Sequence, residues 1–132
     1  MKDSPIAFQT TSSLTFDAAV ARAREAIAKE GMGVLTEIDV QATLKKKLDV
    51  DRTPYLILGA CHPPSAHRSL TAVPEVGVLL LCNVTVLVED GTMVVRAMDP
   101  ASVMGLVSSP DLAAVGAEID AKLQRVVATY QN

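Results

Sequence analysis

The chain has 132 residues, near the commonest size of a single domain, and one hydrophobic core is enough for that length. Hydrophobic residues make up 49% and charged residues 20%, which excludes intrinsic disorder, because a disordered chain lacks the apolar surface that offsets ordering entropy. A net charge of -3, a pI near 5.3 and only 3% aromatic residues argue against a nucleic-acid partner, which would ask for clustered cations and stacking rings.

The amino terminus, Met1-Lys2-Asp3-Ser4-Pro5, lacks the apolar run of a signal peptide. The longest apolar run, Val76 to Val88, is interrupted by Asn83 and Thr85 and falls short of a membrane span. We therefore expect a cytoplasmic protein with no membrane partner, folded as one domain over 1–132. In that compartment its two cysteines are thiols, ligands or core residues rather than a disulfide.

Ile6 to Thr11 alternates and predicts an opening strand. Phe16, Val20, Ala23 and Ile27 then recur at helical spacing, with Thr15 or Ser13 as N-cap and Gly31 with Gly33 as terminator. Met32 to Ile38 reads as a half-buried strand with Val34, Thr36 and Ile38 on one face and Leu35 and Glu37 on the other. Asp39 caps a short helix whose apolar face is Val40, Leu44 and Leu48, with Lys45, Lys46 and Lys47 toward water. Pro54 resets the chain, and Tyr55 to Ala60 suits a central strand.

Cys61-His62-Pro63-Pro64 punctuates that strand and opens a Pro-initiated helical turn that ends near Pro74 and Gly77. Val78 to Val88 predicts a long strand, joined by the two-residue turn Asp90-Gly91 to its antiparallel partner, Thr92 to Met98. Asp99-Pro100 and Ser109-Pro110 bracket a short turn over 101–107. A final helix starts at Ser109 or Asp111 and carries the stripe Leu112, Val115, Ile119, Leu123, Val126 and Tyr130.

Three strings in this order, Glu37 to Lys45 (EIDVQATLK), Tyr55 to Cys61 (YLILGAC) and Leu80 to Val84 (LLCNV), resemble the bacterial and archaeal family known as domain of unknown function 302. The resemblance spans most of the chain. It implies an α+β fold: a curved antiparallel sheet with helices on one face and a TATA-binding-protein-like topology, in the order β-α-β-α-β-β-β-α with short extra helical turns. It also implies a homodimer, and it brings no activity with it. Two positions depart from the family pattern: His62 stands where Asn is usual, and Leu81 where Pro is frequent. The first puts an imidazole beside Cys61, and the second returns a backbone donor to the strand before Cys82.

Cys61, His62, His67 and Cys82 are all the cysteines and histidines of the chain. Their spacing is not that of a zinc finger, so a metal set of Cys61, His67 and Cys82 would rest on topology, the strands bearing the thiols lying side by side. Free cysteines are most often small buried hydrophobes, which is the competing reading. Arg68 would grip an anion near the Pro-Pro turn. Asn83 offers an amide beside Cys82, and Glu37 with Asp39 offers paired carboxylates, although Asp39 already has a role as N-cap.

No phosphate loop, nucleophile elbow or His-Glu-x-x-His motif occurs, and the sequence leaves any cofactor unknown. Three functions stay open. The first is a dimeric module binding a small molecule or metal ion through Cys61, His62, His67, Arg68, Cys82 and Asn83. The others are a cysteine-dependent enzyme or redox protein, and a structural or interaction protein with no pocket chemistry. Binding ranks ahead of catalysis because the polar residues gather in one region without forming a recognisable catalytic set.

Overall fold

The computed structural model describes residues 4–131, so the reading of the amino terminus falls partly on residues outside the described part. Five strands form one antiparallel sheet in the order β1-β5-β4-β3-β2. They are β1 (Ala7–Ser12), β2 (Gly33–Asp39), β3 (Tyr55–Cys61), β4 (Cys82–Glu89) and β5 (Thr92–Met98). The first two strands in the chain are thus the two edges, and the Asp90-Gly91 hairpin supplies two interior strands. Asp90 and Gly91 have φ of 52° and 78°, the double left-handed conformation that matches the twist of the strands they join.

Helices α1 (Phe16–Lys29) and α5 (Pro110–Ala128) pack on one face of this sheet. Thr15 caps α1, its Oγ1 accepting from Ala18 N at 3.2 Å, and Ser109 caps α5 ahead of Pro110 in the first turn. The predicted stripe of α5 is buried from Leu112 through Tyr130. From Val115 onward it meets Leu58, Val84, Val86 and Val95 from the sheet and Ala19, Ala23 and Ile27 from α1 in the main core. Full burial of side chains such as Ile27, Leu58 and Leu123 contributes about 1.5–3 kcal/mol each. The Tyr130 hydroxyl donates to the Ala19 carbonyl and ties the end of α5 to α1.

A smaller core of Val76, Met104 and Leu112 gathers a 3₁₀ segment (Pro74–Leu79), α4 (Pro100–Met104) and the start of α5. Asp99, only 3% exposed, caps α4, its carboxylate accepting from Ser102 N and Oγ.

Three sequence expectations need correction. The long strand from Val78 begins only at Cys82, because the 3₁₀ segment runs on to Leu79 and turns Val78 outward, 89% exposed. The helical turn after Cys61 is a ten-residue helix, α3 (Pro63–Ala72). Strand β2 carries a bulge between Val34 and Thr36, so the single face read from alternation is split. Val34 pairs with Ala60 and packs on the main core, while Thr36 and Ile38 pair with Gly59 and Ile57 on the opposite face. Glu37, opposite Leu58, lands on the helix-covered side.

Helix α2 (Val40–Leu48) is capped by Asp39 as expected, the carboxylate accepting from Ala42 N at 2.9 Å. Its apolar face, however, is only partly covered: Val40 and Leu44 are half-buried, Leu48 is exposed, and none of its residues is fully buried in this chain.

Candidate functional site

Cys61 ends β3, and Cys82 opens β4 opposite Ala60, so the sheet register brings the two cysteines to one corner of the molecule. Both are free and buried, at 9% and 5% exposure. They line a cavity of about 20 Å³, room for one water-sized occupant. Met32 from the turn after α1, His62 and Ser65 from the start of α3, and Met104 from the end of α4 line it as well. Val115, Gly116 and Ile119 of α5 lie along it too. The cavity therefore sits at the seam between the two cores, with Met32 and Cys82 from the larger and Met104 from the smaller.

Pro63 and Pro64 start α3 without leaving backbone donors unpaired in its first turn, so the chain leaves the sheet sharply after Cys61. His62 occupies the N-cap position, but its side chain makes no cap bond to the backbone. Its Nδ1 instead lies 2.7 Å from Ser65 Oγ. Ser65 is 2% exposed, and its carbonyl accepts from Ser69 Oγ at 2.9 Å. The other edge of the imidazole approaches Gly31: a Cβ there would stand 3.9 Å from Cδ2 and Nε2. Gly31 has φ +75°, which already requires a glycine at this turn.

Burial raises the Cys61 thiol above its ordinary pKa. Cys82 is pushed up to about 12, first by burial and then by the charge of Cys61. Activated thiols are shifted in the opposite direction, by neighbouring cations or helix N-termini.

The other predicted residues stand apart from this corner. His67 is exposed on α3, away from the cavity, so the set Cys61, His67 and Cys82 does not converge. Ser65 and Ser69 mark the buried side of that helix, and a residue two positions on from Ser65 points about 200° around the axis. Among the described residues, no group of three or more His, Cys, Asp or Glu side chains is placed to hold a metal ion. Arg68 pairs with Glu118 at 3.2 Å and borders a shallow open depression with His67 and Asp111. Asn83 is exposed and pairs with Gly59, on the sheet face away from α1 and α5. Glu37 bridges to Arg24 at 2.6 Å, and Asp39 is occupied as the cap of α2.

Met32, Ser65 and Met104 are among the lining residues that sequence reasoning missed. Methionine at a turn and at a helix end carries no spacing signature, and Ser65 is one of several serines in polar segments. Among the described residues, no helix is long and apolar enough to cross a membrane.

The profile of the family described as "Domain of unknown function DUF302" matches residues 8–130. A solved structure titled as an uncharacterized conserved protein DUF302 from Bacillus stearothermophilus superposes with a TM-score of 0.87 at 28% identity. The superposition covers 95% of this chain and 98% of that one. A comparison with curated proteins finds no match.

Proposed function

Since the chain belongs to the DUF302 family, whose name assigns no chemistry, we propose from the site itself that it is a dimeric binding module holding one atom-sized occupant between Cys61 and Cys82. The observation that carries this reading is the cavity of about 20 Å³ lined by both thiols. It has room for an ion or a single water-sized group, and far too little for a metabolite, whose pocket needs about 300 Å³ or more. The raised thiols speak against a cysteine nucleophile, because the thiolate is the reactive form and burial suppresses it. Two free thiols suit the reducing cytoplasm, which we take as the compartment.

The dimer finds support at the β2 edge. Leu35, Ile38, Leu48 and Val50 are 44–66% exposed there, and β2 pairs with a neighbour in the sheet on one side only. An edge strand beside exposed apolar side chains is a template for a second chain. The same surface favours a second reading, an interaction module with no pocket chemistry.

One experiment separates the two. The full chain, stripped of metal and kept reduced, is titrated with zinc and copper while melting, thiol alkylation and mass by light scattering are followed. Uptake of one ion per chain with a raised melting temperature and protected cysteines is the expected result. A dimer that takes up no ion and whose melting does not move would leave only the interaction module. A monomer would remove the dimer from both readings.

A further inference from the structure

The donors around the cavity point to the class of its occupant. We infer that it is a site for a soft monovalent metal ion, Cu(I) in a reducing cell, bound by the sulfurs of Cys61 and Cys82 together with the thioethers of Met32 and Met104. This inference rests on the binding reading above and narrows it.

Both cysteines of the chain and two of its five methionines line this one small space, from β3, β4, α4 and the turn after α1. All four are buried, none more than 9% exposed. Thiolate and thioether sulfur select Cu(I) over harder ions. Among the described residues the lining contains no carboxylate, which removes the ligands that calcium and magnesium need. Zinc is held by four thiolate, imidazole or carboxylate ligands, or three and a water, whereas Cys61, Cys82 and His62 form no such group.

Charge and size agree with this choice. Apart from His62, Ser65 and Ser69 the remaining lining is apolar, net charge is costly there, and one thiolate neutralises a monovalent ion. A divalent ion would need two anionic ligands in the same small space. One thiol releases its proton to solvent as its S–Cu bond forms, which balances the charge of Cu(I), and the other cysteine binds through neutral sulfur. No electron is transferred. The space admits the bare ion and no chelate around it, so the protein's sulfurs must replace the donors that carry it in.

The test uses the whole reduced chain, titrated anaerobically with Cu(I) against a competing Cu(I) chelator, with Zn(II) in a parallel arm. The expected result is one Cu(I) per chain, proton release, thiolate-to-copper charge-transfer absorption, and Zn(II) bound at least about a hundredfold more weakly. Met32→Leu and Met104→Leu, near-isosteric exchanges, are each expected to weaken Cu(I) by about tenfold or more, a loss seen even for outer-shell partners of metal sites. Should either variant fail to fold, the methionine methyl resonances of the unaltered chain, followed as Ag(I) is added, report the same contacts. Zinc held more tightly than Cu(I), or Cu(I) bound with the methionines untouched, would overturn the soft-metal site while leaving an ion-binding module. No uptake of either ion would end both.

Discussion

A Cβ at Gly59 would stand 2.1 Å from Thr36 Oγ1 and 3.2 Å from Leu81 Cδ1, so glycine here is a packing requirement and not a conformational one. Gly59→Ala is expected to cost about 1–3 kcal/mol, the usual scale of overpacking, in urea unfolding. Thr36→Ala in the same chain should recover part of that loss, because it removes the nearest atom. An undiminished loss in the double variant would mean that Leu81 or the backbone, and not Thr36, sets the constraint. At Cys82 the residue-scale consequence is a pH dependence. Its folded pKa of about 12 lies above the ordinary 9.0, so the folded chain keeps a proton that the unfolded chain gives up. Stability from this group is complete below about pH 9 and falls by about 1.4 kcal/mol per pH unit as the pH climbs toward 12. Tyr130, raised by burial to about 12, acts in the same direction. In Tyr130→Phe and Cys82→Ala the alkaline slope of chemical-denaturation stability should flatten, and a slope unchanged in Cys82→Ala would show that this thiol is not held neutral by the fold.

Among the elements, α2 stands out because an amphipathic helix beside β2 and β3 has no residue fully buried by its own chain. Its cap and lysine face were legible from Asp39 and Lys45 to Lys47, since capping and charge are local properties. What its apolar face covers is not local, and the sequence is silent on it. Leu48 is 66% exposed, so Leu48→Glu should leave the melting of the isolated fold nearly unchanged. If α2 helps form the proposed dimer, the same substitution should shift mass by light scattering toward the monomer. A dimer of undiminished affinity would place the contact elsewhere. Strand β2 teaches a related lesson. Alternation put Val34 with Thr36 and Ile38, but one extra residue at the bulge sends Val34 to the core side, and a bulge leaves no mark on a period-two pattern. The hairpin at Asp90-Gly91 was legible because both of its residues tolerate positive φ and the flanking runs alternate. The 3₁₀ segment was not, since Val78 to Leu81 reads equally well as strand.

At the scale of the molecule, the cavity exists because two cores meet there. Cys61 and Cys82 were legible as neighbours, since consecutive antiparallel strands usually pair, and His62 came with Cys61. His67 was misplaced because a five-residue reach from His62 was judged without knowing that α3 is a full helix with its serine side inward. Met32 and Met104 were beyond reach because only the tertiary fold brings the turn after α1 beside the end of α4. The smaller core works as the cover of the cavity, which makes the two cores separable by experiment. Leu112→Ala, in the small core, and Leu123→Ala, in the main one, both empty fully buried positions and should each cost about 2–5 kcal/mol. Only Leu112→Ala loosens the packing around Met104, so under native conditions it should speed alkylation of Cys61 and Cys82 well beyond what its loss of stability explains. Leu123→Ala, at equal stability, should not. Equal acceleration in both would mean that the thiols are reached through global unfolding, and that the small core does not guard the cavity.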